Sequence, residues 1–307
     1  MAIINQHLYR DWAAQQEDLP IFFQPWWLDI VNEDAHWDAI VSKNKKSGKI
    51  EGVLPFRHKK RLGFLKNIGN PLLTPFNGPW LVYPPNLTKR ITRYSFEMRV
   101  LDDLAAAIPK VHYYSQSCHY QLENWLPFYH RGFRQTTRYS YVLEDISDPN
   151  AVWTGMSKTH RRSILVAEKE MEMMLSDDVS TMYQLITEVF AKQKKRVPYS
   201  KTFFEKLHLA ATTRGQAQIF LAKHKETGRI EGGIWIVRDK NSAYLMATGR
   251  MNDAPGGEVA ALIWYAIRYY SGKVNAFDFE GSMIKGVGDF FRRFGGVQKP
   301  YFQLKKF

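Results

Sequence analysis

The chain has one cysteine in 307 residues, no long apolar run, and 30 acidic residues against 43 Lys and Arg. A lone cysteine, Cys118, closes no internal disulfide and anchors no thiolate metal set, which excludes a stapled secreted scaffold and a cysteine-based zinc site. The longest unbroken apolar stretch, Val259 to Ile267, falls far short of the roughly 20 residues that span a bilayer. The opening MAIINQHLYRDW lacks a basic segment leading into an apolar one, so neither export nor membrane insertion is expected, and a reducing cytoplasm is the expected location. Catalytic signatures are missing too. There is no Gly-x-x-x-x-Gly-Lys-Ser/Thr loop, no His-Glu-x-x-His helix and no Gly-x-Ser-x-Gly elbow, and Gly286-Val287-Gly288 lacks the third glycine of a dinucleotide site. Cys118 and His119 alternate to opposite faces of a strand, which leaves the thiol without an adjacent base.

What is present describes a packed globular protein. Hydrophobic residues make up 45% and aromatic residues 14%, well above the range of disordered chains. The length fits one large or two medium domains, because single cores stop growing at roughly 250–300 residues. A formal charge of +13 favours anionic partners: a nucleotide, a tRNA, a phosphorylated substrate or an acidic surface.

The chain repeats itself. Lys46-Ser47-Gly48-Lys49-Ile50-Glu51-Gly52 returns as Glu226-Thr227-Gly228-Arg229-Ile230-Glu231-Gly232, with Gly228 lying 180 positions beyond Gly48. Each copy sits between strand-like runs, His36 to Ser42 and Gly52 to Phe56, then Gln218 to Lys223 and Gly233 to Val237. The Ser/Thr-Gly pair is hairpin chemistry. A helix-like segment follows in each half (Ile91 to Ala107; Glu258 to Ser271), then a short strand (Val111 to Ser117; Ala276 to Glu280) and an aromatic, arginine-bearing turn at Phe128 to Phe133 or Phe290 to Gly295. A closing strand ends each half, Tyr139 to Leu143 and Tyr301 to Leu304. The acidic, Pro-containing stretch Glu144 to Asn150 separates the two halves, predicting one α+β domain over 1–145 and another over 146–307.

This element order, met twice, resembles the GNAT acyltransferase fold in tandem. With Phe277-Asp278-Phe279-Glu280-Gly281-Ser282, Phe290-Phe291-Arg292-Arg293-Phe294-Gly295-Gly296 and the basic segment Lys158-Thr159-His160-Arg161-Arg162-Ser163-Ile164, the chain resembles the FemABX-like transferases, which include aminoacyl-tRNA-dependent peptidoglycan bridge-forming ligases. The resemblance implies two GNAT-like domains, each a mixed, mainly antiparallel sheet flanked by helices. It also implies transfer of an acyl or aminoacyl group from acyl-CoA or aminoacyl-tRNA to an amine, with no tightly bound cofactor and no metal. The implied acceptor is a small molecule or cell-envelope precursor, with tRNA as a possible partner. Two features depart from the family pattern. Phe291 stands where the family's turn usually carries lysine, and Arg250-Met251-Asn252-Asp253-Ala254-Pro255 does not complete the coenzyme A signature, although Arg250 is grouped with the donor.

Particular residues carry the chemistry. Gly256 and Gly257 precede a helix whose free N–H groups can face a donor's phosphates, although Glu258 there opposes an anion. Lys158, Arg161 and Arg162 share one face at a helix start, where cations oppose the macrodipole and an anion would offset them. Alternation in Phe277-Asp278-Phe279-Glu280 sends both aromatics to one side and both carboxylates to the other, towards a cleft or solvent. Amide formation requires a deprotonated amine, so Asp278 and Glu280 are the expected bases. Tyr301 is placed by the resemblance at the leaving group or oxyanion. Arg292 and Arg293 offer guanidinium forks for a phosphate or carboxylate. Between Lys43 and Lys66 stand nine Lys or Arg against Glu51 alone, with Trp26, Trp27 and Trp80 as ring platforms. That basic face carries the alternative function, a non-catalytic module binding nucleic acid or another anionic polymer.

Overall fold

The computed structural model describes residues 2–61, 65–85 and 87–307, and of 59–61 the backbone alone. The chain forms two compact units, one of residues 1–138 with 300–307, the other of residues 139–299. In chain order the elements begin β1 (Ala2–Ile4), α1 (Gln6–Ala13), α2 (Pro25–Val31), β2 (Trp37–Lys43), β3 (Ile50–Arg57), β4 (Lys59–Arg61), β5 (Leu65–Gly69) and β6 (Trp80–Leu81). There follow α3 (Arg90–Ala106), β7 (Tyr113–Ser117), α4 (Leu126–His130), β8 (Arg134–Leu143), α5 (Pro149–Gly155), α6 (Lys158–Glu170), β9 (Met171–Ser176), α7 (Val179–Lys192) and α8 (Lys201–Thr212). The chain closes with β10 (Ala217–His224), β11 (Ile230–Arg238), β12 (Ser242–Arg250), α9 (Glu258–Tyr270), β13 (Ala276–Asp278), α10 (Lys285–Arg292) and β14 (Val297–Lys306).

In the first unit β1, β2, β3 and β6 pair antiparallel in that order, while β5 pairs parallel to β7 and antiparallel to β4. Gln303 to Lys306 of β14 complete it, antiparallel to β7. The second unit runs β8, β13, β12, β11, β10, β9, antiparallel except for β12 with β13. Each unit is thus a mixed, mainly antiparallel α+β sheet with helices on it, as the tandem GNAT resemblance implies. The closing strands are exchanged: β14 finishes the first unit's pairing, and Val142 and Leu143 of β8 pair with β13 in the second.

The repeat is physical as well as textual. Gly48 and Gly228 both have φ of 71°, the left-handed backbone that glycine adopts without a Cβ penalty. Asn44 N–H donates to the Lys49 carbonyl at 2.8 Å, and His224 N–H to the Arg229 carbonyl at 2.8 Å. A bulge follows Ser42 in one hairpin and Ala222 in the other. On the second strand of each hairpin a glycine lets a helix approach closely: a Cβ on Gly52 would meet Val100 at 2.5 Å, and one on Gly232 would meet Glu258 at 2.8 Å. Behind these contacts lie separate cores, one around Ile40, Leu54, Val100, Leu104 and Phe128, the other around Phe220, Ile234, Ile263, Ile267 and Phe277.

Two classes of glycine substitution should differ. A Cβ on Gly48 would meet no atom within 4 Å and one on Gly228 only Lys223 Cε at 3.8 Å, an ordinary contact, so each alanine should cost only the left-handed penalty of about 1–2 kcal/mol, most of it regained with Asn. Gly249→Ala would place its Cβ 2.7 Å from the Leu185 carbonyl carbon on α7, and urea melts should show a larger loss, about 1–3 kcal/mol from overpacking.

Candidate active site

β12 and β13 pair at only three positions, Ser242 with Ala276, Ala243 with Phe277 and Tyr244 with Asp278. β12 then continues to Arg250 while β13 stops, and Met246 forms a bulge between the partners of Trp235 and Ile236. Beyond Asp278 the chain turns through Glu280 (φ 59°) and Gly281 (φ 57°). A Cβ on Gly281 would lie 2.0 Å from the Tyr139 carbonyl oxygen, so only glycine lets the chain pass β8 there. The sheet is unzipped from Asp278 outward.

Asp278 is 2% exposed. It accepts from the Ser140 hydroxyl and, at 2.8 Å, from the Glu280 N–H. Burial pushes its carboxyl up to about 6; those hydrogen bonds oppose the rise and the charge of Asp239 adds to it. Asp239 itself caps Asn241 and Ser242 N–H at 2.9 Å and takes the Tyr244 hydroxyl at 2.8 Å. Glu280 keeps some contact with solvent as a residue, but its Oε1 is enclosed and has no hydrogen-bond partner among the described residues. Burial, then the Asp278 charge, holds its carboxyl well above the usual range. Phe277 and Phe279 turn into the core and meet edge to face with ring centroids 5.2 Å apart, as the alternation predicts. On the opposite face the Asp278 carboxyl is closed in by Ser140 of β8 and the Glu280 N–H, and Oε1 of Glu280 is enclosed.

α6 begins where expected, with the Ser157 hydroxyl accepting from His160 N–H at 3.2 Å. Lys158 and Arg162 are exposed and Arg161 is partly so. Ser157 N–H donates to the Arg293 carbonyl at 2.9 Å, bringing this basic start beside exposed Arg292 and Arg293. Arg292 pairs with Asp289 at 3.2 Å. His160 is buried against Phe290 and Phe294; burial first, then the Arg293 charge, lowers it to about 4, so it adds no cation. Farther along α6, the Ser163 carbonyl oxygen lies where a Cβ on Gly257 would come within 2.8 Å, so α6 and the start of α9 are in contact. Gly256 and Gly257 take φ of 104° and 87°. Arg250 and Glu258 form an ion pair at 2.8 Å across that start.

Residues 156–291 match the family described as Acetyltransferase (GNAT) domain. No curated protein matches the sequence. Among solved structures, FemX superposes over 98% of this chain and 96% of its own with a TM-score of 0.68 at 12% identity. L-PGS from Bacillus licheniformis covers 97% and 90% with 0.56 at 12% identity, and a tandem GNAT protein from the clavulanic acid biosynthesis pathway covers 99% and 98% with 0.54 at 11%. Residues 156–291 are thus similar to a GNAT acetyltransferase domain, and the chain shares the fold of FemX and of a tandem GNAT protein. At these identities the structural likeness speaks for the fold, and the GNAT match falls on the unit that holds Asp278, α6 and α9.

The other expected residues lie in the first unit. Tyr301 is half-buried on the part of β14 that completes that unit. Trp26 is partly exposed and donates to Gln24 at 2.6 Å. Trp27 leaves the ligand face: it is 0% exposed, donates to the Thr74 hydroxyl at 3.1 Å and meets Phe22 edge-on, because α2 turns it into the core. Arg57 leaves the basic face as well, buried and paired with Asp34 at 3.5 Å. The side chains of Lys59, Lys60 and Arg61 lie outside the described residues. A cleft of about 950 Å³ beside the β2–β3 hairpin is lined by Lys49 of the expected basic face with Tyr83, Phe96 and Arg99, and none of the expected catalytic or donor-binding residues lines it. Ser140, Asp239 and the Arg250–Glu258 pair escape a reading of the sequence, since each depends on a partner that only folding supplies.

Asp278 should cost stability at neutral pH. Its folded value of about 6 lies above its ordinary 3.8, so the folded protein binds the proton more tightly, and stability present below about pH 4 is lost as pH rises through 6. Asp278→Asn, which keeps an acceptor for Ser140, should therefore melt higher than the native chain at pH 7.5, by up to about 3 kcal/mol. The gap should close as the pH is brought down to 4; a constant gap would show that the charge is not its origin.

Proposed function

We propose that the chain transfers an acyl or aminoacyl group from an activated ester to an amine, by direct attack within a ternary complex. The carrying observation is Asp278, a buried carboxyl raised to about 6 at the last pair before β12 and β13 part. A base near that value accepts a proton at neutral pH and still has driving force to do so. The amine nitrogen attacks the ester carbonyl carbon, the C–N bond forms, and the ammonium proton passes to Asp278 directly or through water. The C–O or C–S bond then breaks, and the leaving group takes up a proton. Glu280, whose carboxyl is raised well above the usual range, is the group suited to supply it.

Lys158, Arg161 and Arg162 take the donor's phosphates, with the α9 start at Arg250, Gly256 and Gly257 beside them. Arg292 and Arg293 take an anionic group of the substrate. Acyl-CoA and aminoacyl-tRNA are the two co-substrates this reading admits. The FemABX-like fold favours a cell-envelope precursor or small molecule as acceptor.

The test pairs purified protein with labelled acetyl-CoA and with a charged tRNA pool, each offered amine acceptors including envelope precursors. In whichever reaction turns over, Asp278→Asn should lower turnover roughly 10²–10⁴-fold while donor affinity holds. Full turnover in that variant would remove Asp278 as the base. Steep, salt-sensitive binding to nucleic acid without turnover on either donor would favour the anionic-polymer module instead.

A further inference from the structure

The start of α9 already contains an anion. A helix N-terminus gathers free N–H groups and partial positive charge, and so takes up carboxylate or phosphate. Here the first helical residue, Glu258, is 1% exposed, and its Oε1 lies 2.8 Å from Arg250 Nε. Its Oε2 is enclosed without a hydrogen-bond partner among the described residues. Arg250 in turn donates to the Ala254 carbonyl at 2.9 Å, tying down the turn that leads to Gly256 and Gly257.

The internal repeat supplies a comparison within the same chain. Glu258 Cγ covers Gly232 at the place where, in the first unit, Val100 and Leu104 cover Gly52. Hydrocarbon suffices to fill that position, so space does not require a carboxylate. A buried charge is costly unless paired, and Arg250 provides the pairing. Were Arg250 to turn to an incoming pyrophosphate, Glu258 would be left as an uncompensated buried charge.

We propose that Glu258 is a specificity-determining residue that closes the α9 start to donors bearing a pyrophosphate, such as coenzyme A thioesters. The proposal rests on the acyl-transfer reading and narrows its donor to an activated ester whose phosphates are met elsewhere, as by the basic start of α6.

Binding of coenzyme A and of inorganic pyrophosphate, followed by calorimetry, tests this apart from activity. The native chain should bind neither at micromolar concentrations. Glu258→Gln, which keeps size, and Glu258→Val, which copies the first unit's solution, should each bind coenzyme A at least about tenfold tighter, the effect of gaining one charge-assisted contact. Micromolar binding by the native chain overturns the proposal without any variant. So does unchanged affinity in either variant when circular dichroism shows it folded. Failure to find any transfer reaction would sink the acyl-transfer reading and leave these titrations intact.

Discussion

The second unit is organised around the early end of one parallel pairing. β12 and β13 share three residue pairs and no more. Asp278 is the last of them, so it is still held as a sheet residue and buried, with Ser140 and the Glu280 N–H on its carboxyl. Immediately beyond, the chain must turn past the backbone of β8, which demands left-handed residues at 280 and 281 and glycine at the second. A carboxyl buried at the edge of an opening, rather than in the middle of a sheet or out in water, follows from where the hydrogen bonding stops.

Duplication gave both units the same hairpin, down to the φ of the turn glycine and the site of the bulge, and then let their helix contacts diverge. In the first unit the repeated glutamate, Glu51, meets Arg99 of α3 at 2.8 Å. In the second, Glu231 meets Arg229 of its own hairpin at 2.8 Å, which leaves Arg250 to Glu258. A small change of ion-pair partner thus separates a unit whose helix rests on valine from one whose helix begins with a buried acid.

The large positive charge is not spread evenly in effect. Several cations are spent inside each unit, as with Arg57 on Asp34 and Arg229 on Glu231 and Asp253. The start of α6 is different: Lys158 and Arg162 are exposed there, and Arg293 joins them through its carbonyl on Ser157 N–H. His160 stays neutral between two phenylalanine rings, so this concentration of charge comes from lysine and arginine.

The sequence by itself determined what depends on local pattern: the paired hairpins, the helices following them, the helix start at Lys158, the inward turn of Phe277 and Phe279, and the tandem GNAT resemblance. These are legible because turn glycines, caps and period-two alternation act over a few residues. It did not reveal that Trp27 turns into the core, since two adjacent tryptophans on a helix differ only by what packs on each. Nor could it show that the closing strands are exchanged, because β8 and β14 carry similar patterns and pairing partners are chosen at long range. Only the tertiary structure decided the protonation of Asp278 and Glu280 and the pairing of Arg250 with Glu258, because the energy of a charge is set by the groups and the burial that surround it, and those come from residues far away in the chain.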